Sequence, residues 1–228
     1  MKEFRYQLHT HTAPCSACAG LTPYQLCKAL HQAGYSGAVL TNHFYKGNSG
    51  IPRGEWKSFV NAYEKDYQEC VECAKEFDLD ILFGVEEGVG NGLEILCYGI
   101  TPKVLYDNPS LRDCKLEEWV KIMRDNGVVL IQSHPYRQAS YITNPGVLPL
   151  QFIDGIEVYN YVSRMGVVNE KAQNFAIENP HLITTSGGDA HTTEVVGFGG
   201  IITSERLRTE KDLAKCLSSK KFQLIMDK

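Results

Sequence analysis

Histidines and carboxylates recur where short apolar runs of the chain end. Seven candidate metal ligands lie at such points, and they include five of the seven histidines: His9, His11, His43, Glu86, His134, Asp189 and His191. Imidazole nitrogens mixed with carboxylate oxygens suit Zn²⁺, Mn²⁺ or Fe²⁺ better than Ca²⁺ or Mg²⁺, which prefer oxygen ligands alone. Because a catalytic zinc uses about three protein ligands, the pattern predicts two or three ions, with Glu86 as a bridge.

Two pairs of these residues have the spacing i and i+2. In an extended strand, residues two apart point to the same side. His9 with His11, and Asp189 with His191, can therefore each present two ligands in one direction. An HxH or a DxH alone is weak evidence, because a single histidine at a strand end is more often an ordinary polar residue. Their coincidence with the other strand-end ligands indicates a metal centre.

The segments that position these residues alternate between short apolar runs and amphipathic stretches. The helix predicted at 22–34 has the clearest start, with Thr22 as N-cap, Pro23 in the first turn and Gln25 three residues after the cap. Strands are predicted over residues 4–8, 38–40, 80–85, 94–100, 128–131, 153–158, 182–185 and 200–202, the fourth as an antiparallel or side element. The other predicted helices span residues 56–77, 116–124, 169–177 and 211–217.

Strands that alternate with helices predict a parallel sheet. The chain has no glycine-rich phosphate loop after its first strand, so a closed or distorted barrel is favoured over an open doubly wound sheet. No linker or repeat divides the chain, and we expect residues 1–228 to form one α/β domain. In such a barrel the C-terminal strand ends form one face, where the predicted ligands would converge.

The composition is that of an ordinary globular protein. The 228 residues are 43% hydrophobic and 22% charged, with a formal charge of −4, which excludes intrinsic disorder and a disulfide-dependent miniprotein. The mild acidity argues against a general nucleic-acid binder, which would carry a basic stripe. No apolar run approaches the roughly 20 residues that span a bilayer, and Met1–Arg5 contains no signal-like apolar stretch. We therefore expect a soluble, cytoplasmic protein without membrane contact.

Eight cysteines include two CxxC pairs that could be halves of a structural zinc site. Cys70 of the second pair falls on the apolar stripe of the helix predicted at 56–77, so it is predicted to be a small core residue rather than a ligand. Cys15 and Cys18 differ because they directly follow the two histidines of the HxH, and their role stays open.

The order and spacing of these motifs resemble those of the polymerase-and-histidinol-phosphatase (PHP) family of metal-dependent phosphoesterases. The resemblance covers nearly the whole chain and rests on five fragments: Leu8-His9-Thr10-His11-Thr12, Leu40-Thr41-Asn42-His43, Gly84-Val85-Glu86, Ser133-His134-Pro135 and Gly188-Asp189-Ala190-His191. It implies a distorted (β/α)7 barrel with two or three divalent metal ions, which agrees with the barrel expected from the strand and helix pattern.

The resemblance also implies how the ligands divide among the ions. One ion would be held by four residues: His9, His11, Glu86 and Asp189. Glu86 would bridge to a second ion, which it would share with His134. His43 and His191 would contribute to a third ion. Glu94 stands where the family often has an extra histidine, and it could itself bind a metal.

Two further positions depart from the family pattern. The family usually has an acid or a histidine five or six residues after the HxH, whereas Ser16 and Ala17 occupy those places. Cys15 or Cys18 could substitute for the missing ligand. Asn42 stands where the family usually has the aspartate of a TDH motif. These departures bear on the third ion.

The activity that the resemblance implies is hydrolysis of a phosphate ester. Two cations flanking a water lower its pKa, so a hydroxide that bridges the ions would be the nucleophile, in a site formed by Glu86, Asp189 and His134. Arg137 and, in second place, Arg164 are the cations expected to bind the phosphate. The expected substrate is a small molecule resembling histidinol phosphate or a nucleotide, because a compact acidic chain disfavours long polyanions.

Nearby polar residues are expected to support the ions rather than to bind them. Glu157 and Asn160 lie at another strand end and are candidates for the hydrogen bonds that fix imidazole tautomers. Glu87 is expected to be a neighbour of the site rather than a ligand, because adjacent residues of a strand face opposite ways.

Two other functions stay open. Metal-dependent amidohydrolases also place an HxH, later histidines and an aspartate at barrel strand ends, but they often bridge their ions with a modified lysine. No predicted strand end here carries such a lysine. The departures at Ser16 and Asn42 also fit a metal-stabilised barrel that serves binding or regulation without catalysis.

Overall fold

The structure is a computed structural model that describes residues 3–162 and 167–226. In this part of the chain nine strands form one sheet: β1 (Phe4–Thr10), β2 (Gly37–Leu40), β3 (Asp80–Gly90), β4 (Leu93–Tyr98), β5 (Val129–Gln132), β6 (Gly155–Asn160), β7 (Ile183–Gly187), β8 (Gly200–Thr203) and β9 (Gln223–Ile225). The α-helices are α1 (Pro23–Gln32), α2 (Trp56–Lys75), α3 (Pro102–Asp107), α4 (Leu116–Asp125), α5 (Val167–Glu178) and α6 (Glu210–Ser219), and 3-10 helices span Pro109–Arg112 and Leu150–Phe152.

The sheet is mixed rather than parallel throughout, and the antiparallel direction left open for the strand predicted at 94–100 is confirmed. Its strand order is β7-β6-β5-β4-β3-β2-β1-β8-β9. The pairs β1–β2, β2–β3, β5–β6 and β6–β7 are parallel, whereas β4 is antiparallel to both of its neighbours and β8 is antiparallel to β1 and β9. Only two residues, Asn91 and Gly92, separate β3 from β4, and both have positive φ. Asn-Gly in this conformation forms a tight hairpin turn, which forces antiparallel pairing.

The sheet curls into a nearly closed barrel, which confirms the predicted fold class. Just beyond β7, Ala190 accepts a hydrogen bond from the His11 N–H over 2.9 Å and donates to the His9 carbonyl oxygen over 3.1 Å. These bonds join the segment after β7, an edge strand of the sheet, to β1, which lies between β2 and β8. The closure also brings the HxH of β1 against the DxH that follows β7.

Apolar side chains fill the barrel beneath the predicted ligands. Leu82 of β3 belongs to a buried cluster with side chains of β1, β4, β5 and α6. Glu86, four residues further along β3, lies on the same face of the strand and is fully buried. The register between β1 and β2 shifts between Gln7 and Thr10. Such a bulge re-aims side chains, so Leu8 joins the apolar cluster while the adjacent His9 reaches Glu86.

The helices begin largely where the sequence indicates. Thr22 and Gln25 form the predicted capping box of α1. The sequence did not indicate α3, the two 3-10 helices or β9, because each is too short to show a hydrophobic period. No helix in residues 3–162 and 167–226 combines the length and the apolar character needed to cross a membrane.

Candidate metal centre

All eight predicted metal-binding side chains meet at the end of the barrel where the parallel strands β1, β2, β5 and β7 finish. They form four overlapping groups, in each of which the donor atoms lie within 4.8 Å of one another: His11, His43 and His191; His9, His134 and Asp189; His9, His11 and Glu86; and His43, Glu86 and Glu94. Almost all of these side chains are buried. Residues that span most of the chain therefore share one site, as the strand-end pattern predicts.

Glu86 lies at the centre of the cluster. Its Oε1 is 3.2 Å from His9 Nε2 and 3.4 Å from His134 Nε2. Its Oε2 is 3.0 Å from His43 Nδ1 and 3.4 Å from His11 Nε2. One carboxylate thus faces four imidazoles from different elements. This is the geometry of a residue that can bridge two cations.

Asp189 lies on the opposite side of the two HxH histidines. Its Oδ1 is 3.4 Å from His9 Nε2 and 3.3 Å from His11 Nε2. Asp189 has φ 55°, and His134 has φ 29°, a left-handed conformation that is uncommon for a histidine. Such backbone strain costs about 1–3 kcal/mol and is concentrated at functional sites. Two of the converging residues are therefore held in place against a local backbone preference.

Glu94 lies on β4, next to Glu86 across the barrel wall. Its Oε1 is 3.2 Å from His43 Nδ1, and its Oε2 is 3.6 Å from His134 Nε2. Its side chain is 12% exposed, whereas that of Glu86 is 1% exposed. Glu94 therefore closes the cluster on its solvent side, where the family resemblance places an extra histidine.

Hydrogen bonds outside the cluster determine which nitrogen faces the centre. His9 Nδ1 lies 3.0 Å from Glu157 Oε1, and His191 Nδ1 lies 2.8 Å from the Asp189 carbonyl oxygen. Because a carboxylate and a carbonyl oxygen only accept, we infer that each Nδ1 carries the proton. Each Nε2 then keeps a lone pair for a cation. Glu157 therefore does what the sequence predicts, and Asn160 Nδ2 holds it by donating over 2.8 Å.

Ser16, which stands where the family usually has a ligand, orients His11. Its Oγ donates to Asn42 Oδ1 over 2.8 Å and accepts from the His43 N–H over 2.9 Å. The other lone pair faces His11 Nδ1 at 3.1 Å, so this nitrogen carries the proton and His11 Nε2 turns to the centre. Ser16 is thus a hydrogen-bonding partner of a candidate ligand.

A buried acid on helix α2 anchors this arrangement, and the sequence reasoning missed it. Asp66 Oδ2 accepts from Asn42 Nδ2 over 2.8 Å and from Thr12 Oγ1 over 2.6 Å. Burial raises the pKa of Asp66, while these two hydrogen bonds oppose the rise. Asp66 lies between Tyr63 and Cys70 on the buried side of α2. The position of this acid on the apolar stripe of the helix is the sequence signal that could have identified it as a buried, hydrogen-bonded residue.

The inner donor atoms fit divalent cations and little else. Among the described residues, five buried atoms at the centre lack a hydrogen-bond partner: His9 Nε2, His11 Nε2, His43 Nδ1, Glu86 Oε1 and Glu86 Oε2. These atoms face one another, and buried polar atoms without partners are costly. A cation would satisfy several of them together, and imidazole with carboxylate is a donor set for such ions.

Charges inside the cluster shift its pKa values strongly. Desolvation would raise the pKa of Glu86, but His9 and His43 outweigh it and hold that pKa well below its ordinary value. Asp189 behaves alike, since His9 and Arg137 overcome desolvation and lower its pKa. Desolvation lowers the pKa of His9, yet Glu86 and Asp189 raise it well above the usual value. The cluster thus attracts positive charge, and a metal would take the place of the proton because a ligating imidazole is neutral.

A cavity of about 570 Å³ opens onto the cluster. Its wall includes two cationic and several uncharged residues together with three of the candidate ligands: Cys18, His43, Lys46, Gly47, Asn48, Gly88, Gly90, Gly92, Leu93, Glu94, Arg137, Tyr141 and His191. Arg137 Nη2 donates to Asp189 Oδ2 and, over 3.1 Å, to Asn160 Oδ1. Lys46, three residues after His43, was not singled out from the sequence. Arg164 lies outside the described residues.

Glu87, Cys70 and Cys15 lie away from the candidate ligands, whereas Cys18 contacts one of them. Glu87 Oε1 accepts from the Lys46 N–H over 2.6 Å, away from the metal-type groups; burial raises the pKa of Glu87 to about 7. Cys70 is fully buried, with its Sγ 4.0 Å from Cys27 Sγ, as expected for a core residue. Cys18 Sγ lies 3.0 Å from His191 Nε2, whereas the other cysteine of its pair is buried in the apolar core.

No family model and no curated protein matches the chain by sequence. Among solved structures, the chain is similar to a two-domain protein from Bacteroides vulgatus that contains a predicted PHP-like metal-dependent phosphoesterase, with 14% identity and a TM-score of 0.72. The match covers 99% of this chain but 65% of that protein, so the chain spans about two thirds of its length.

Two further solved structures are similar over nearly their whole length. One, from Bifidobacterium adolescentis, is named on prediction as a metal-dependent phosphoesterase, with 14% identity, a TM-score of 0.56, and 92% of this chain and 94% of that chain covered. The other is an amidohydrolase from Chromobacterium violaceum with bound sulfate and no metal, with 16% identity, a TM-score of 0.57, and 98% and 99% covered. At such identities the likeness concerns the fold: the chain has the fold of PHP-like metal-dependent phosphoesterases.

Proposed function

We propose that this PHP-fold chain is a metal-dependent hydrolase that cleaves a small-molecule phosphate ester. The observation that carries the proposal is Glu86, whose two oxygens face four imidazoles in a buried cluster and lack hydrogen-bond partners among the described residues. A single structural ion would not need eight donors, since about three or four satisfy one zinc. Two or more adjacent ions are the arrangement used for hydrolysis of phosphate esters.

The proposed ligand sets are those that the family resemblance implies, and the distances around Glu86 support them. The first set is His9, His11, Glu86 and Asp189, and the second shares Glu86 with His134. Zn²⁺, Mn²⁺ and Fe²⁺ all suit these donors. When bound, the two ions would acidify a water and neutralise charge on the leaving oxygen. Glu157 and Ser16 contribute by fixing the tautomers of the imidazoles.

Arg137 is the proposed phosphate-binding residue of the chain itself. It lines the cavity beside His191 and contacts Asp189. Guanidinium groups bind phosphate oxygens well, because their N–H donors match the geometry of the oxyanion. Lys46, on the same wall, adds a second positive charge. Arg164 keeps the subsidiary role that the sequence suggests.

The cavity favours a small substrate over a polymer. Its volume of about 570 Å³ lies within the roughly 300–1,000 Å³ of ordinary small-molecule pockets. The formal charge of −4 gives no general attraction for polyanions. A compact ester such as histidinol phosphate or a nucleotide is the class of substrate that we propose.

An amidohydrolase is the second candidate, because one of the similar structures carries that name. Against it, Glu86 occupies the position at which that class often has a modified lysine. Lys46, the lysine in the cavity wall, directs its Nζ to the Cys114 carbonyl oxygen over 3.2 Å. A third candidate is a silent metal-binding barrel, which metal content and turnover distinguish from both enzymes.

The deciding experiment measures metal content and turnover on the same purified sample. We expect two or three transition-metal ions per chain together with hydrolysis of p-nitrophenyl phosphate or bis-p-nitrophenyl phosphate, and the preferred ester separates monoesterase from diesterase. His9→Ala and Asp189→Ala should abolish turnover and reduce bound metal while the circular dichroism spectrum stays unchanged. Ions without turnover of either ester would refute the phosphoesterase, and hydrolysis of an amide or lactone instead would establish the second candidate.

A further inference from the structure

The cluster includes a group of three histidines at its outer edge, of which Glu86 contacts only two. His11, His43 and His191 bring one nitrogen each within 4.8 Å of the others. The ring centres of His11 and His191 are 4.3 Å apart, and those of His11 and His43 are 4.6 Å apart. His11 Nε2 and His43 Nδ1 are buried without hydrogen-bond partners among the described residues. Both atoms belong to the five unpartnered atoms at the centre, so this group adjoins the inner positions and adds His191 to them.

Cys18 completes this edge of the cluster. Its Sγ is 3.0 Å from His191 Nε2, and Cys18 lines the same cavity as His43. The proton of His191 is on Nδ1, which donates to the Asp189 carbonyl oxygen. Its Nε2 therefore presents a lone pair towards the sulfur, and both atoms are potential donors to one ion.

The backbone holds Cys18 at this place. The chain after His11 turns back on itself, since the Ser16 N–H donates to the Thr12 carbonyl oxygen over 2.9 Å. The Ala17 N–H donates to the Asn48 carbonyl oxygen over 3.0 Å, which ties the turn to the loop after β2. Cys18 thus lies at the mouth of the cavity with Lys46 and His191. These backbone hydrogen bonds fix the position of Cys18.

We propose that Cys18 is a thiolate ligand of a third divalent cation, which it holds together with His43 and His191. The inference rests on the metal centre of the proposed function and deepens it. Binding releases the thiol proton to solvent, because the thiolate and not the thiol binds metal. The other candidate, Cys15, is excluded because its side chain is buried among Phe44 and other apolar residues.

A sulfur donor has a consequence for metal selection at this position. Thiolate favours Zn²⁺ and other soft ions, whereas Mg²⁺ and Mn²⁺ prefer oxygen donors. The acid or histidine usual in the family would not discriminate in this way. The outer position is therefore expected to hold zinc or cobalt selectively, while the inner positions around Glu86 accept the wider set of ions.

The test loads the full chain with Co²⁺ and records its absorption spectrum, which needs no turnover. A thiolate bound to Co²⁺ produces a near-ultraviolet charge-transfer band that nitrogen and oxygen ligands do not. We expect the band in the wild type and its loss in Cys18→Ser, with about one ion fewer per chain. Cys15→Ala and Cys73→Ser are the matched controls and should keep both band and ion. Cys18→Asp should recover the ion without the band.

A second measurement uses the wild type alone. Iodoacetamide should alkylate Cys18 in the chelator-treated protein and spare it after Zn²⁺ is added, as read by mass spectrometry. An unchanged band and ion count in Cys18→Ser, or equal alkylation with and without Zn²⁺, would overturn the proposal. Turnover with two ions and no band would disprove the thiolate and leave the phosphoesterase standing. A Cys18-dependent band without turnover would support the thiolate ligand and disprove the phosphoesterase.

Discussion

At the scale of single residues, the site gathers several buried polar atoms whose hydrogen-bonding capacity is not used. Both oxygens of Glu86 and one nitrogen each of His9, His11 and His43 face one another without hydrogen-bond partners among the described residues. Such a cluster is unfavourable unless a cation satisfies it, because buried polar groups lose their hydration. The outer hydrogen bonds matter as much as the inner atoms, since they decide which nitrogen carries the proton.

Glu157→Gln tests this role of the outer hydrogen bonds. Glu157 accepts from His9 Nδ1 through one oxygen, and from the His134 N–H and Asn160 Nδ2 through the other. An amide has only one acceptor oxygen, so one side would face a donor against a donor. We expect the affinity for metal to fall about 10–100-fold, measured by competition with a chelating dye. Glu117→Gln on α4 is the exposed control, and equal affinities in the two variants would contradict the assignment.

Asn42 offers a second test at this scale, since it replaces the usual family aspartate. Asn42→Asp would put a second carboxylate against Asp66 Oδ2, which now accepts from Asn42 Nδ2 over 2.8 Å. We expect the free energy of unfolding to fall by about 1–3 kcal/mol, because a buried hydrogen bond is lost and like charges meet. Urea denaturation measures the change.

The exchanged pair provides the control for this prediction. Asn42→Asp combined with Asp66→Asn restores one donor and one acceptor across the same contact, so much of the lost stability should return. Additive destabilisation in the double variant would show that the two side chains do not act as a pair. The orientation of His11 would then depend on its hydrogen bond with Ser16 alone.

At the scale of elements, bulges and turns aim the side chains. The bulge in β1 lets Leu8 face the apolar interior while the next residue, His9, faces Glu86. The β3–β4 hairpin brings Glu94 next to Glu86, which a parallel arrangement of these strands would not do. Gly187, at the end of β7, lets β7 pass close to β1, since an added Cβ would lie 2.7 Å from His9 Cβ. Close approach of strands here leaves no room for a side chain.

The packing of α1 on α2 lies apart from the metal centre and can be tested separately. Cys27 of α1 and Cys70 of α2 are fully buried with their sulfurs 4.0 Å apart. Cys70→Ala should lower the free energy of unfolding by about 1 kcal/mol through a small cavity and leave the metal content unchanged. Thermal denaturation measures the change in stability, and elemental analysis measures the metal content. Cys73→Ala, one turn further and partly exposed, should change neither, and loss of an ion from Cys70→Ala would revive a zinc half-site.

At the scale of the whole molecule, metal binding and barrel closure involve the same residues. The donors come from both sides of the closure, since His9 and His11 belong to the first strand region and Asp189 follows β7. The hydrogen bonds of Ala190 to the same two histidines close the barrel. Ions bound between these segments therefore link β1 to the segment after β7.

Removal of the metal should accordingly lower the stability of the whole fold. A ligand that binds only the native state adds about 2.7 kcal/mol at a concentration of 100 times its Kd. Treatment with a chelator should therefore lower the Tm by several degrees, and re-addition of Zn²⁺ or Mn²⁺ should restore it, as scanning calorimetry would record. Asp189→Ala should respond far less to the chelator. A Tm that does not depend on metal would mean that the ions play no part in closure.

Much of this site could be predicted from the sequence, because ligands in a barrel stand directly after the apolar strand segments. Apolar runs that end in histidine, glutamate or aspartate identified seven of the eight converging side chains, since strand ends of one barrel face share one location; Glu94 was indicated only by the family resemblance. The capping residues Thr22 and Gln25 likewise marked the start of α1. These features depend on neighbours only a few residues apart, and the composition already indicated a chain able to form a core.

Only the tertiary structure decided features that depend on contacts across the chain. The Asn91-Gly92 turn that makes β4 antiparallel to β3 is a local signal, but the pairing of β4 with β5 was decided by the tertiary structure. The link from Ser16 through Asn42 to Asp66, and the contact of Cys18 with His191, join residues 24 to 173 positions apart. No local periodicity encodes such contacts, because they arise when closure of the barrel brings distant backbone segments together.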